Sequence, residues 1–385
     1  MPQRRLRGAM IGGGYNSLIG PVHRMAIRLD GEADLVAGVF SSDPNRSKSF
    51  GRELYLDPSR VHGTVDELLE HEKSLPADEQ IDFITICTPN YAHYEAAKKC
   101  VEAGFHVISD KPLTSSLEEA YDLREVVSKS GVFFGLTHNY TGYPMVKQAR
   151  HVVSQGDLGD IHKVVVEYPQ GWMVDMLNNR DSAINPWRMD PQKAGKSCTV
   201  ADIGTHAENL VRYITGLEIE AVSADLAALV PSNPLDDDAN VLLRFRDGSR
   251  GVLIASQVST GEENGFNIRV YGKKAGMYWL QENPNYLRVK NPSGYVTVYS
   301  KGNPVLCEAA QQAGRLPFGH PDGFIEAFAN LYVESFRGIR SLLDGNRLPT
   351  DLDVPGIDDG VKGMQFIETV VSSAQGDARW TPWVE

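Results

Sequence analysis

Two short stretches of the sequence combine residue types that suit proton transfer and charge stabilisation at an oxygen atom. Lys111 stands between Asp110 and Pro112, and a residue before proline takes an extended backbone that leaves its side chain free to project. Asp202 and His206 lie four positions apart in the second half of the chain. A neutral imidazole can accept a proton, and an ammonium group can stabilise the negative charge that then develops. Either stretch alone is also typical of an ordinary turn or helix start.

A helix start is predicted at His206, because Thr205 and Glu208 have the spacing of a capping box. The positive end of the helix dipole would then disfavour the imidazolium form and lower the pKa of the histidine. This would leave a neutral base near pH 7, with His93 as the next candidate for that role. The alternative is a structural histidine, with Asp202 bonding nearby backbone amides.

A glycine-rich turn follows the first apolar run and is typical of dinucleotide binding. Gly12 and Gly14 allow the tight turn and the close backbone approach that a pyrophosphate needs at a helix N-terminus. Ser17 stands where the third glycine of this fingerprint is expected, and we interpret Gly20 as its displaced counterpart. The cofactor contacts expected in this loop are Gly12, Gly14, Ser17, Leu18 and Ile19.

The end of the second apolar run bears on the choice between NAD and NADP. An acidic residue about 20 positions beyond the glycine turn normally holds the ribose of NAD, but Ser41 occupies that place. Without a carboxylate there is no repulsion against a 2′-phosphate, and Arg46 could bind that phosphate or stack on the adenine. Asp43 is interpreted as the cap of the next helix. These residues leave NAD and NADP equally open.

The elements that must position these residues are short strands alternating with helices. Proline and capping-box signals predict helices between the apolar runs of the first half. The strands are predicted at 6–11, 33–40, 81–87, 105–109 and 132–136. Residues 1–139 are therefore expected to form a doubly wound parallel sheet, whose strand ends meet at one crevice. The cofactor contacts expected at that crevice are Thr88, Asn90, His93, Asp110 and Lys111.

Residues 140–385 have a different pattern and are predicted to form a second domain. Alternating runs flank the Asp247-Gly248 turn, which is a hairpin signal, and similar runs follow it. Helical periodicity covers 145–154, 324–343 and 360–373. We expect an α/β domain with a large, mostly antiparallel open sheet.

The composition excludes several classes of protein. A chain of 385 residues, 42% of them apolar, has material for two globular domains. Its net charge of −12 argues against a nucleic-acid partner, and no apolar run is long enough to cross a membrane. The four cysteines are scattered without metal-ligand spacing, so no metal is expected. The basic N-terminus lacks the apolar stretch of an export signal, which favours a cytoplasmic protein.

These motifs, in this order, resemble the Gfo/Idh/MocA oxidoreductases over essentially the whole chain. They are the glycine loop, Thr88-Pro89-Asn90, Asp110-Lys111-Pro112, the Asp202 and His206 pair, and the stretch 319–332. Asp110 replaces the family's usual glutamate, and residues 195–201 depart from its glycine-rich run. The resemblance implies a Rossmann domain that binds NAD or NADP, followed by an α/β domain that forms homo-oligomers, dimeric or tetrameric, through its sheet.

The resemblance also implies a catalytic trio of Lys111, Asp202 and His206. The reaction would be oxidation of a secondary hydroxyl of a sugar, sugar derivative or inositol, with hydride transfer to nicotinamide. An oxidoreductive glycosidase with retained NAD and a catalytically silent nucleotide sensor are the alternatives. The residues expected to contact substrate are Asn139, Tyr140, Trp172, Trp187, Arg188 and His320.

Overall fold

The computed structural model describes residues 4–178 and 186–385, which fall into two compact units. The first contains the residues through Asn139 together with Phe328–Val361. The second contains Tyr140–Ala327 and Lys362–Glu385. The sequence-based division places everything after residue 139 in the second domain, whereas Phe328–Val361 groups with the first unit. None of the helices in the described residues is long and apolar enough to cross a membrane.

The first unit is built on a five-stranded parallel sheet in the order β2-β1-β3-β4-β5. Starting from β1, the chain adds β2 on one side of the sheet and then β3, β4 and β5 on the other side. The point where the direction changes is a switch point, which opens a crevice at the carboxyl ends of the strands. The predicted doubly wound sheet is confirmed. Its strands are β1 (Leu6–Gly12), β2 (Ala33–Val39), β3 (Phe83–Cys87), β4 (His106–Ser109) and β5 (Phe134–Leu136).

Several helices of this unit begin at local capping signals. Asp43 caps α2 by accepting hydrogen bonds from the amides of Asn45 and Arg46, as the sequence predicts. The capping box of α5 uses Ser116 and Glu119. The helices are α1 (Gly20–Leu29), α2 (Pro44–Glu53), α3 (Val65–Ser74), α4 (His93–Glu102) and α5 (Leu117–Ser130).

The second unit is built on a nine-stranded, mostly antiparallel sheet in the order β13-β12-β11-β10-β6-β9-β8-β7-β14. The predicted Asp247-Gly248 hairpin joins β8 to β9, and β6 pairs with β9 in parallel. The strands are β6 (Ile161–Pro169), β7 (Ile219–Ala227), β8 (Asp238–Phe245), β9 (Arg250–Ser256), β10 (Asn267–Gly272), β11 (Gly276–Leu280), β12 (Tyr286–Lys290), β13 (Val296–Ser300) and β14 (Thr381–Pro382). This confirms the predicted fold class.

The second half of the chain contains short and medium helices, and two long helices lie near its end. They are α6 (Pro144–Ser154), α7 (Val174–Leu177), α8 (Pro191–Ala194), α9 (Thr205–Thr215), α10 (Glu308–Gln312), α11 (Phe324–Leu343) and α12 (Ile357–Gln375). A π-helical turn over Val200–Gly204 runs directly into α9. The bounds of α11 agree with the predicted helical range 324–343. The helical periodicity of this segment is strong because one face of the helix is continuously apolar.

Candidate active site

The glycine loop has no room for side chains at the positions the sequence singles out. A Cβ atom on Gly12 would lie 2.7 Å from the carbonyl oxygen of Cys87, and one on Gly14 would lie 2.2 Å from that of Phe40. On Gly20 it would lie 2.4 Å from the carbonyl oxygen of Gly13. Gly20 thus provides the close helix-to-loop approach expected of the third glycine. The loop has the bare backbone that a pyrophosphate cradle requires.

The residues between Gly14 and Gly20 lead into α1. The Ser17 hydroxyl accepts a hydrogen bond from the Gly20 amide at 3.0 Å, Ile19 is the cap residue, and Leu18 is 80% exposed. The Arg24 guanidinium donates to the Gly13 carbonyl at 2.6 Å. An exposed helix N-terminus with a guanidinium beside its loop is a favourable place for an anion.

The loop after β2 agrees with the assignment of Asp43 as a helix cap. The Ser41 hydroxyl accepts from the Asp43 amide at 3.1 Å, so its side chain is part of the turn. The Arg46 guanidinium lies 5.6 Å from the centroid of the Tyr15 ring. An arginine on an aromatic face forms a flat surface on which a base can stack.

A polar group without a partner follows β3. The Thr88 hydroxyl oxygen is buried and has no hydrogen-bond partner among the described residues, and Asn90 is also buried. A buried hydroxyl without a partner is costly in a folded protein, and a bound polar ligand would remove that cost. The glycine cradle and this hydroxyl both fit a dinucleotide.

The turn that carries Lys111 is fixed by its neighbour Asp110. One carboxylate oxygen of Asp110 accepts from the Lys111 amide at 3.0 Å and from the Thr137 hydroxyl at 2.8 Å. The other oxygen lies 3.9 Å from Nε2 of the fully buried His23. Burial acts to raise the pKa of Asp110, but the His23, Lys111 and His93 side chains hold it below its usual range. Asp110 therefore remains an ionised anchor for the backbone of Lys111.

The ring of His93 lies between two backbone carbonyl groups. Nδ1 lies 2.8 Å from the carbonyl oxygen of Pro112, and Nε2 lies 2.8 Å from that of Thr88. Both ring nitrogens thus face backbone carbonyl oxygens, and the roles of His93 as a base or a cofactor contact remain predictions. The sequence does not show these contacts, because Pro112 is 19 residues from His93 and the contact with Thr88 depends on the fold of the loop between them.

In the second unit, Asp202 and His206 lie on one continuous helical segment, and His206 is not in its first turn. The π-helical turn precedes α9, so helical backbone begins near Thr199. The Thr205 hydroxyl donates to the carbonyl of Ala201, and Glu208 accepts from Arg212. The predicted capping box is therefore wrong, and the argument from the helix dipole no longer applies to His206.

A distant residue caps this helix instead. The buried carboxylate of Asp236 accepts hydrogen bonds from the amides of Cys198 and Val200, both at 2.9 Å. Burial raises the pKa of Asp236, while the hydrogen bonds it accepts act in the opposite direction. The free amides that open the helix are satisfied by a segment more than thirty residues away.

The carboxylate of Asp202 is contacted by the side chains of Gln257 and Arg188. Gln257 donates from Nε2 to Oδ2 at 2.8 Å and accepts from the Thr199 hydroxyl at 2.9 Å. The Arg188 Nε atom lies 3.4 Å from the same Oδ2, and its guanidinium lies 4.6 Å from the centroid of the Trp187 ring. The Arg188 charge is thereby paired with Asp202.

His206 packs against neutral phenols. The Tyr140 ring lies edge-on at a centroid distance of 4.8 Å, and the Tyr168 ring lies at 6.4 Å. The two phenol oxygens are hydrogen-bonded to each other, and Tyr168 also donates to Asn264 at 2.8 Å. Burial raises the pKa of Tyr140 to about 12 and that of Tyr168 well above its ordinary value. Both phenols stay neutral and offer hydroxyl groups.

The remaining predicted substrate residues differ in their surroundings. The Asn139 amide nitrogen is buried and has no hydrogen-bond partner among the described residues. Trp172 is partly buried and packs against a small apolar cluster around Met173 and Val230. His320 is exposed, and its ring and carbonyl contact Phe318 and Lys301 in its own part of the chain. The cluster that Trp172 contacts also includes Met189 and Val258, the chain neighbours of Arg188 and Gln257.

Sequence reasoning missed three polar residues of the second unit: Tyr168, Gln257 and Asn264. Tyr168 lies on the buried side of β6, after Val164 and Val166, and Gln257 directly follows β9. A polar residue at the end of an apolar strand is the signal that would have indicated them. Asn264 lies in a loop and has no such signal.

The chain is similar to known oxidoreductases in both halves. Residues 6–138 match the model for the oxidoreductase family with an NAD-binding Rossmann fold, and residues 146–278 match the Gfo/Idh/MocA C-terminal domain. An oxidoreductase of known structure from Sinorhizobium meliloti is 42% identical, with a TM-score of 0.88 and coverage of 98% of this chain and 99% of that one.

Two further relatives carry functional descriptions. An inositol dehydrogenase homolog from Azotobacter vinelandii, crystallised with NADH and myo-inositol, is 33% identical, with a TM-score of 0.89 and coverage of 99% of this chain and 98% of that one. Levoglucosan dehydrogenase of Pseudarthrobacter phenanthrenivorans is 28% identical over 277 residues, which are 64% of this chain and 69% of the relative.

Proposed function

This chain belongs to the Gfo/Idh/MocA family of oxidoreductases with an NAD-binding Rossmann fold, and we propose on that premise that it oxidises a secondary hydroxyl of a sugar, sugar derivative or inositol. The observation that carries the proposal is the neutral hydrogen-bonding lining around His206, made of Tyr140, Tyr168 and Asn264. Phenol and amide groups both donate and accept, as the hydroxyl groups of a polyol ring require. The relatives that act on or bind polyols support the same class.

The proposed roles follow the chemistry of each group. His206 accepts the proton of the reacting hydroxyl. Lys111 orients that oxygen and stabilises its developing negative charge. Asp202, held by Gln257 and Arg188, stays aligned to accept hydrogen bonds from substrate hydroxyls. The nicotinamide, when bound, supplies the chemistry of hydride acceptance.

The pairing of Arg188 with Asp202 favours a neutral substrate over a sugar acid or a sugar phosphate. A guanidinium that already lies 3.4 Å from a carboxylate has less charge to offer an anionic substrate. A neutral polyol needs only the donors and acceptors present. We assign Trp187, which stacks with Arg188, and the buried amide of Asn139 to the substrate as well.

Residues of the first unit are assigned to the cofactor. The glycine loop would hold the pyrophosphate, and Thr88 and Asn90 would bond the nicotinamide half. Ser41 and Arg46 would face the adenosine half, and the relative crystallised with NADH makes NAD the first cofactor to test.

We also propose a cytoplasmic homo-oligomer, dimeric or tetrameric, formed through the nine-stranded sheet. This sheet exposes apolar side chains on several strands, among them Leu242, Tyr271 and Val298. Exposed apolar surface of this kind is typical of an interface. Light scattering of the purified protein gives the mass directly, and a monomer at micromolar concentration would contradict the proposal.

The test of function begins with the cofactor and ends with the substrate. Mass spectrometry of the nucleotide released by denaturing the purified protein identifies NAD or NADP. A panel of inositols, aldoses, anhydrosugars, sugar acids and glycosides then follows the absorbance of reduced nicotinamide. We expect stoichiometric reduction with a neutral polyol. Sugar release from a glycoside without net reduction would replace this function with the redox-neutral glycosidase, and inactivity across the panel would overturn both.

A further inference from the structure

A buried histidine of the first unit joins the loop after β3 to the turn after β4. His93 is 1% exposed and is the first residue of α4. Its ring reaches the carbonyl oxygen of Thr88 through Nε2 and that of Pro112 through Nδ1, each at 2.8 Å. Thr88 belongs to the proposed cofactor loop, and Pro112 directly follows Lys111.

The chemistry of these contacts defines what the ring can do. A carbonyl oxygen only accepts hydrogen bonds, so His93 can contribute only as a donor at either contact. The doubly protonated ring satisfies both carbonyls, and the neutral ring satisfies one. Both ring nitrogens are directed at backbone carbonyl oxygens, which favours a structural role over a direct acid–base one.

The two sides of Lys111 are anchored by different groups. On its amino side, Asp110 accepts from the Lys111 amide and from the Thr137 hydroxyl. On its carboxyl side, the Pro112 carbonyl bonds to His93. The backbone of Lys111 is therefore held before and after its own Cα atom, which restricts where the long side chain can start.

We propose that His93 is a positioning residue that holds the Lys111 turn against the cofactor loop. The proposal rests on the proposed function, since it requires that Lys111 acts on the reacting oxygen. Preorganised groups stabilise a transition state only when their geometry is fixed in advance, and displacement by about 1 Å can cost on the order of 100-fold in rate. Without His93 the turn can move away from Thr88, and the ammonium group moves with it.

A double-mutant cycle in the intact protein tests this proposal. His93→Phe fills the same space without donors, His93→Gln keeps one donor, and Lys111→Ala removes the proposed endpoint. We expect His93→Phe to lower kcat at saturating NAD and substrate by about 10–100-fold, and His93→Gln to lower it by less. In the Lys111→Ala background, the same His93 substitutions should change kcat less than twofold, because effects that act through one group are not additive.

His71→Phe is the matched control, because the ring of His71 packs on His62 and lies on α3. It should leave kcat unchanged. If His93→Phe does not fold, as judged by thermal unfolding, His93→Gln carries the cycle.

Additive losses in the cycle would overturn the proposal, since His93 would then act independently of Lys111. A His93 variant that weakens only NAD affinity, with kcat intact at saturation, would make it a cofactor ligand and overturn the proposal as well. Failure of the proposed function looks different, because the wild-type protein would then show no turnover with any neutral polyol. A Lys111→Ala variant that kept its activity would instead remove the assigned role of Lys111.

Discussion

The Lys111 turn in the first unit and the Asp202–His206 helix in the second are held in place by different kinds of contact. Lys111 is anchored on both sides through the backbone, by Asp110 and by the carbonyl that bonds His93. In the second unit the contacts are made by side chains. Gln257 and Arg188 contact the carboxylate of Asp202, and the Tyr140 ring packs against His206. A backbone anchor fixes the start of a flexible side chain, whereas a side-chain anchor fixes the reacting group itself.

This difference follows from the length of the side chains. The lysine side chain is a flexible chain of four methylene groups, so its ammonium group can still adapt to a substrate after its backbone is fixed. The carboxylate of Asp202 and the imidazole of His206 are short and rigid, so their orientation depends on direct neighbours. Substitutions beside the Lys111 side chain should therefore have little effect on activity. Substitutions of the side chains that contact Asp202 or His206 should reduce it.

The largest effect should come from Lys111→Ala. We expect kcat to fall by about 10²–10⁴-fold, the range for removing an acid–base or electrostatic group, with the Kd for NAD almost unchanged. Steady-state kinetics and nucleotide titration measure the two quantities. A variant that kept most of its activity would make Lys111 an ordinary turn residue and end the comparison.

His206→Asn should produce a somewhat smaller loss. Asparagine retains hydrogen bonding but cannot accept the proton, so we expect kcat/KM to fall by about 10²–10³-fold. In the wild-type protein, kcat/KM should rise with pH as the His206 ring loses its proton and becomes a base. This rise should be absent from the variant. Thermal unfolding of the variant controls for the loss of the edge-on contact with Tyr140. An unchanged pH profile would assign the base to another residue.

Acid should weaken the first unit through His106 on β4. Burial lowers the pKa of His106 from 6.5 to about 4, although the negative charge of Asp82 opposes the shift. Between these pH values the unfolded chain binds the proton more readily, so the free energy of unfolding falls with falling pH, by about 3 kcal/mol in total. Urea unfolding of the wild type and of His106→Gln between pH 7 and pH 4 measures how the free energy of unfolding depends on pH. Parallel curves for the two proteins would contradict the assignment.

Gln257→Leu should show that the second region depends on its side-chain neighbours. Loss of the amide frees Asp202 to rotate and leaves the Thr199 hydroxyl without its acceptor. We expect kcat/KM to fall about 10-fold, with a loss of about 1–3 kcal/mol in stability from the buried unpaired group. Equal activity at unchanged KM would mean that Asp202 is oriented without Gln257.

The smallest effect should come from Ser41→Asp in the first unit. A carboxylate near the ribose would repel a 2′-phosphate, so we expect the Kd for NADP to rise about 5-fold while the Kd for NAD stays the same or falls. Titration with both nucleotides measures the ratio. Equal changes for the two would show that Ser41 does not face the ribose.

Much of the fold follows from local sequence signals. The parallel strands of the first unit, the Asp247-Gly248 hairpin and the bounds of α11 were all predictable, because each depends on residues within a few positions of one another. The glycine loop belongs with them, since the absence of side chains at Gly12, Gly14 and Gly20 is a property of the sequence itself.

The arrangement around the candidate catalytic groups depended on the tertiary structure. The helix that carries Asp202 and His206 begins near Thr199 because Asp236 caps it, and Asp236 comes from a segment that local spacing does not connect with the helix. One partner of His93, Pro112, and one partner of Asp202, Gln257, also lie outside the local segments of these residues. The sequence by itself determined which residues carry chemistry, since residue type sets proton affinity and charge. Only the tertiary structure decided which of their atoms are already bonded, because a buried polar group takes whichever partner the fold brings within hydrogen-bonding distance.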